Sequence, residues 1–168
     1  MIMRGITWKL VALVGIGVFG AGAARAEVLI TEGGKPRARI VVADAPTEQA
    51  LKGARALSAI LDRISGAALP IVHESEPGDG PRILVGRSKA VDALGMEVPT
   101  GHTPEMKEET ILIKSVGTDL VLLGNEDWNY HGTLFAVYDF LEQDLGCRWF
   151  FPGAYGEVLP ASPTVKFG

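Results

Sequence analysis

The sequence predicts an α/β (α+β) domain in which a mixed β-sheet is covered by two main helices and one short helix. Short β-branched runs such as Ile40–Val42 and Ile83–Val85 are typical of buried strands. Two longer segments, 47–64 and 133–145, repeat apolar residues at intervals of three and four, which indicates amphipathic helices. Alternation of such strands and helices favours a sheet packed against helices.

Turn and cap residues divide the first half of the chain into elements. The predicted order is strand 28–31, a turn at Gly33 and Gly34, strand 38–43, helix 47–64 and strand 70–73. Asp44 is the candidate N-cap of this helix, and Gly66 is its expected C-terminal stop. Residues 76–81 combine proline, glycine and acidic residues, which predicts a surface turn.

The second half is predicted in the same way. Its order is strand 82–86, short helix 88–94, a long loop at 96–108, strands 110–114 and 119–123, helix 133–145, strand 148–151 and extended segments at 156–159 and 164–167. The short Gly117-containing connection predicts an antiparallel hairpin. In the last helix, the expected buried stripe is Leu134, Tyr138, Leu141 and Leu145.

The N-terminus has the three parts of a secretory signal peptide. Arg4 and Lys9 supply the positive region, residues 10–21 are apolar or glycine, and Ala24-Arg25-Ala26 is a small-residue cleavage pattern. The apolar run is short for a membrane span, which takes about 20 residues. We therefore expect residues 1–26 to be a signal peptide, residues 27–168 to be one domain, and the protein to be secreted or periplasmic.

Charge excludes two classes of partner. The predicted signal peptide holds three of the 16 basic residues and none of the 20 acidic ones, so 13 basic residues face 20 acidic ones in the rest, a net charge of −7. A nucleic-acid-binding domain needs a basic stripe, and anionic membrane surfaces attract basic segments. We expect neither nucleic acid nor, after signal cleavage, a membrane as partner.

The residue types that perform catalysis or bind metals and cofactors do not occur at the spacings that such sites require. The three histidines lack metal-ligand spacing, and no phosphate-binding glycine motif or nucleophile elbow is present. The acidic residues Glu126 and Asp127 are adjacent, whereas glycosidase carboxyl groups stand about 5–10 Å apart across the bond. Cys147 is expected to be a small buried hydrophobe. We therefore expect no catalytic residue, no metal site and no cofactor.

A polar and aromatic loop precedes the last helix. Asn125, Trp128, Tyr130 and His131 belong to this segment and are the candidate substrate-binding residues. Loops held by a rigid scaffold often carry binding sites, and sugars stack on exposed aromatic rings. The alternative is that Trp128 packs the helix onto the sheet or onto another domain.

The end of the chain resembles a known module. The segments that carry the resemblance are Leu122–Asn125, Gly132–Glu142, Leu145–Phe150 and Pro152-Gly153. They resemble the N-terminal accessory domain of family 67 α-glucuronidases and family 20 β-hexosaminidases, in the version found in large bacterial glycoside-hydrolase-like proteins. Phe135 stands where that pattern usually has Tyr, and His131 where it has Arg.

The resemblance implies a function for the chain. In those enzymes catalysis resides in a TIM barrel that follows the accessory domain, and the barrel is absent from this chain. The implied role is a non-catalytic accessory domain that buttresses such a barrel in glycan degradation. Its exposed docking surface is expected at Val158, Leu159, Val165 and Phe167. A free-standing carbohydrate-binding module is the alternative.

Overall fold

The computed structural model describes residues 27–100, 110–128 and 130–168. The predicted signal peptide and most of the predicted loop at 96–108 lie outside these residues. The strands, in chain order, are β1 Val28–Glu32, β2 Lys35–Pro36, β3 Arg39–Val42, β4 Ile71–His73, β5 Arg82–Val85, β6 Ile111–Val116, β7 Asp119–Gly124, β8 Arg148–Trp149, β9 Glu157–Val158 and β10 Val165–Phe167. The helices are α1 Glu48–Ser65, α2 Lys89–Asp92 and α3 Gly132–Asp139, with a π-helical turn at Phe140–Asp144 and a 3₁₀ turn at Ala154–Gly156.

A five-stranded mixed sheet forms the centre of the domain, in the order β4-β3-β5-β7-β6. Strands β4, β3, β5 and β7 run parallel, and β6 pairs antiparallel with β7 as the hairpin that the sequence predicted. A separate small sheet, β10-β1-β2, joins the two ends of the described chain through the pairing of Val28 with Phe167. The predicted α+β class with a mixed sheet and three helices is thus confirmed for the described residues.

Both faces of the central sheet are covered, as the alternation of its side chains requires. Alternate strand residues such as Ile40, Ile83 and Leu122 pack into one cluster with α1 and α3. The residues between them, such as Leu84 and Val121, pack on the opposite face with α2 and the segment after it. Burial on both faces explains why these strands consist of continuous apolar runs.

Helix α1 begins and ends at identifiable cap residues. Thr47 is the N-cap, and its hydroxyl accepts a hydrogen bond from the Ala50 amide at 3.1 Å. Asp44 does not cap this helix, so that prediction is wrong. Gly66 ends the helix with φ at 77°, the left-handed conformation that glycine adopts without strain, as the sequence predicted.

The predicted buried stripe of the last helix is partly wrong. Leu134 is half-buried and Tyr138 is 39% exposed, whereas Ala136 and Val137 are fully buried. Two contacts rotate α3 relative to the expected face: Gly132 packs directly on the end of β7, and the Thr133 hydroxyl accepts a hydrogen bond from the Gly124 amide at 3.1 Å.

After α3, the π-helical turn shifts the repeat of buried positions. It places Phe140 and Leu141 side by side in the core, and Leu145 packs at its edge. A prediction that assumes a regular 3.6-residue repeat therefore misses this shift.

Candidate functional site

The carboxyl ends of the parallel strands define the edge of the sheet where ligands usually bind. From β3 the chain leaves through α1 toward β4, and from β5 it leaves in the other direction through α2 toward β6 and β7. This reversal is a topological switch point, and ligands of open α/β sheets bind outside the strand ends at such points. The first turn of α1 and the loop after β7 both lie at this edge.

An open groove of about 490 Å³ lies between these two segments. Its lining residues are Thr47, Glu48, Gln49, Lys52, Glu126, Trp128, Tyr130 and His131. Three of the four predicted site residues, Trp128, Tyr130 and His131, therefore line one groove. The contribution of α1 was not predicted, because residues about 80 positions away in sequence give no local signal of this contact.

Trp128 is the most unusual residue of the groove. It is 82% exposed, and its φ of 60° lies in the left-handed region that a bulky side chain rarely adopts. Such a conformation costs about 1–3 kcal/mol and persists only where neighbouring contacts impose it, which happens most often at binding sites. The indole is thus held outward at an energetic cost rather than packed into the core.

Asn125 builds the loop that presents Trp128. Its side chain is fully buried, and its Oδ1 accepts a hydrogen bond from the Asp127 amide at 3.0 Å. Its own amide donates to the Thr110 carbonyl, and its carbonyl accepts from the Gly132 amide at 2.9 Å. Asn125 does not line the groove, so in this structure it positions the loop residues that do.

Two side-chain contacts attach the loop to the rest of the edge. The Thr47 hydroxyl, which caps α1, also donates to Glu126 Oε2 at 2.9 Å. Arg87, which follows β5, forms a salt bridge with Asp127 at 3.2 Å. The groove is therefore built across the ends of β3, β5 and β7, and its shape depends on the sheet rather than on the loop alone.

Two of the charged side chains that line the groove form an ion pair with each other. Lys52 forms a 2.7 Å salt bridge with Glu48, one helical turn away. The hydrogen bond and the positive charge of Lys52 lower the pKa of Glu48, so this carboxylate is ionised at neutral pH. Glu126 is the second carboxylate of the groove, and its Oε1 is buried and has no hydrogen-bond partner among the described residues. The Oε1 of Gln49 is likewise buried and has no hydrogen-bond partner among the described residues.

Large apolar side chains are exposed on the segment that joins β8 to β9, here called the aromatic hairpin (residues 148–158). Phe150, Phe151, Tyr155 and Val158 are 72%, 57%, 98% and 51% exposed. The segment is closed by the β8–β9 pairing and by a 2.9 Å hydrogen bond from the Phe150 amide to the Gly156 carbonyl. The hairpin thus presents four large side chains to solvent.

This location corrects part of the predicted docking surface. Val158 is exposed as expected, but Val165 and Phe167 are buried, at 3% and 7% exposure, because β10 closes the small terminal sheet over the core. Leu159 is half-buried against the main cluster. The exposed apolar surface lies instead earlier in the chain, around Phe150 and Tyr155.

The described residues contain no group of three or more acidic, histidine or cysteine side chains arranged to hold a metal ion. Within the same residues, no helix has the length and apolar character needed to cross a membrane.

Cys147 is fully buried, as predicted, and burial raises the pKa of its thiol, which stays protonated and unreactive at neutral pH.

No protein-family model matches the chain, and no curated protein matches it significantly.

Proposed function

We propose that the chain is the non-catalytic accessory domain of an exported glycoside-hydrolase-like protein, of the type found at the N-terminus of α-glucuronidases and β-hexosaminidases. Its role is to buttress a catalytic TIM barrel that acts on glycans. The aromatic hairpin is the observation that carries this proposal, because it exposes large side chains of the kind that a docking face for a barrel requires. The signal-peptide pattern of residues 1–26 supports export.

The physical argument rests on the apolar area that the hairpin leaves in water. Fully burying a large apolar side chain contributes about 1.5–3 kcal/mol, and Phe150, Phe151 and Tyr155 are each more than half exposed. Clustered exposed apolar groups mark interaction surfaces on soluble proteins. The hairpin overlaps the Leu145–Phe150 and Pro152-Gly153 segments of the resemblance, which include the exposed Phe150.

Site-specific photo-crosslinking tests this role. A photoreactive phenylalanine analogue replaces Tyr155, the most exposed residue of the hairpin, and the protein is irradiated in its native exported fraction. We expect crosslinked peptides from a glycoside-hydrolase barrel, on the same polypeptide or on a separate one. The same analogue at Glu76, in an exposed turn elsewhere, is the control and should not give these peptides. Crosslinks only to other copies of this chain would contradict the proposal.

A carbohydrate-binding module is the second candidate function, and the exposed, strained Trp128 beside the groove favours it. An indole held in solvent offers a flat apolar face to the C–H face of a sugar ring, and groups around it can bind the hydroxyls. This function is compatible with the first, because the groove and the aromatic hairpin are formed by different segments.

A further inference from the structure

We propose that strand β6 pairs with β6 of a second copy of this chain, antiparallel and about a two-fold axis at Ile113, so that the two central sheets join into one. Strand β6 is the last strand of the central sheet among the described residues. This surface is formed by other segments than the groove and the aromatic hairpin. The inference therefore stands or fails independently of the accessory-domain role.

The hairpin geometry determines which backbone groups of β6 bond to β7. Val116 and Asp119 pair across a two-residue turn, and such a closing pair exchanges both of its hydrogen bonds. Hydrogen-bonded pairs then recur at every second residue along an antiparallel ladder. The 3.0 Å bond from the Asn125 amide to the Thr110 carbonyl continues the same alternation at the other end of the hairpin.

The other residues of β6 direct their N–H and C=O groups away from β7, to the open edge of the sheet. These residues are Ile111, Ile113 and Ser115. Unpaired edge groups are a template for a further strand, and proteins often block them with proline, bulges or charged side chains. Strand β6 contains no proline, its register with β7 is unbroken, and Lys114 is its one charged residue.

The order of the outward groups fits a second copy of the same strand. An antiparallel pairing centred on Ile113 places the two Ile113 residues opposite each other and each Ile111 opposite Ser115 of the other copy. Every outward N–H of these residues then meets an outward C=O. A two-fold interface requires such self-complementarity, because the same surface is used by both copies.

The side chains of β6 match in the same register. On one face of the sheet, Ile113 meets Ile113 of the other copy beside the main core cluster. On the other face, a depression of about 430 Å³ is lined by Glu97, Leu112 and Lys114. The pairing places each Lys114 opposite Leu112 of the other copy, on the side of that copy's Glu97, so opposite charges meet across the axis.

Sedimentation velocity of the purified protein at increasing concentration measures the association. We expect a monomer–dimer equilibrium with a Kd of about 1–100 µM, because a single strand pair buries less than the roughly 1,200 Å² of a standard interface. Ser115→Pro removes an outward amide and should weaken the dimer about tenfold or more, since proline is tolerated where the N–H of an edge strand faces solvent. Ser115→Ala keeps that amide and is the matched control, with an unchanged Kd.

A charge substitution gives a second variant at an exposed position. Lys114→Glu brings a like charge to Glu97 of the other copy, so the dimer should weaken several-fold. Adding Glu97→Lys to Lys114→Glu restores the opposite charges and should recover the association. Circular dichroism verifies that each variant is folded, and the charge variants decide the question if Ser115→Pro unfolds.

The distance between two spin labels tests the register. Thr118→Cys places a label on the exposed turn after β6, whereas the thiol of Cys147 is buried and stays unlabelled. At about 3.4 Å per residue on each side of the axis at Ile113, double electron–electron resonance should give about 35 Å between the labels. A dominant distance below about 20 Å or above about 50 Å would contradict the proposed axis.

Two further outcomes would overturn the proposal. One is a protein that stays monomeric at every concentration, or a dimer that is equally strong in the folded Ser115 and Lys114 variants. The other is a dimer that persists in Ser115→Pro but is lost in the double variant Phe150→Ser and Tyr155→Ser, because self-association would then occur through the aromatic hairpin. Crosslinking from position 155 decides the accessory-domain role in either case.

Discussion

Phe140→Ala is expected to lower the free energy of unfolding by about 3–5 kcal/mol, the usual range for removal of a buried phenylalanine. Phe140 is fully buried in the π-helical turn after α3. Its ring meets that of Phe167 edge-to-face, with centroids 5.7 Å apart, and so joins the last helix to the small terminal sheet. The loss would be a large part of the 5–15 kcal/mol that stabilises a typical domain.

Urea unfolding followed by circular dichroism measures this effect. Phe135→Ala is the matched control, because the same side chain is removed from α3 at a position that is 47% exposed. We expect the control to cost less than about 1 kcal/mol, as surface substitutions usually do. Equal losses in the two variants would mean that the ring of Phe140 is not in the core.

Gly132→Ala is expected to cost about 3 kcal/mol, at the upper end of the range for overpacking, although alanine is the better helix former. A Cβ on Gly132 would overlap the Asn125 amide nitrogen and lie 2.9 Å from the Gly124 carbonyl carbon. These are backbone atoms and cannot move aside alone. The helix would have to shift away from β7, and the loop that carries Trp128 would shift with it.

The measurement is again urea unfolding, combined with Trp fluorescence of the folded state. Gly78→Ala is the control, because the three atoms nearest to its new Cβ all belong to the guanidinium group of Arg39, the end of a long side chain, and none is a backbone atom. We expect less than about 1 kcal/mol for the control. A stabilised Gly132→Ala variant would show that helix propensity dominates and that the close contact with β7 does not exist.

Features with strong local patterns were predictable from the sequence. Helix α1 has the expected length because its apolar repeat and its Gly66 stop both act within a few residues of the helix. The antiparallel hairpin of β6 and β7 was predictable because a short turn leaves neighbouring strands no other pairing.

Features that depend on distant contacts were not predictable. The orientation of α3 depends on the approach of Gly132 to Gly124, and nothing near Leu134 or Tyr138 in the sequence reports that approach. A 3.6-residue repeat could therefore select the wrong face. Thr47 was overlooked as the cap because Asp44 also fits the composition of a helix start.

The candidate site was predictable in part for the same reason. Trp128, Tyr130 and His131 were recognised because aromatic and polar residues share one short loop between two predicted elements. Gln49 and Lys52 were not, since only the folding of α1 beside the end of β7 brings them to the groove. The exposed apolar surface was predicted wrongly at Val165 and Phe167, because a short apolar strand that is paired and buried has the same sequence pattern as one that is exposed.

The central claim is that the aromatic hairpin docks a catalytic barrel. The most direct test mixes the purified protein with the glycoside-hydrolase barrel identified by crosslinking, produced as a separate chain, and measures complex formation by sedimentation velocity. The account predicts a one-to-one complex with the unmodified protein and about 30-fold weaker association for the double variant Phe150→Ser and Tyr155→Ser, as for loss of interface hot spots. Equal association of the double variant, or no complex with the barrel at all, would contradict it.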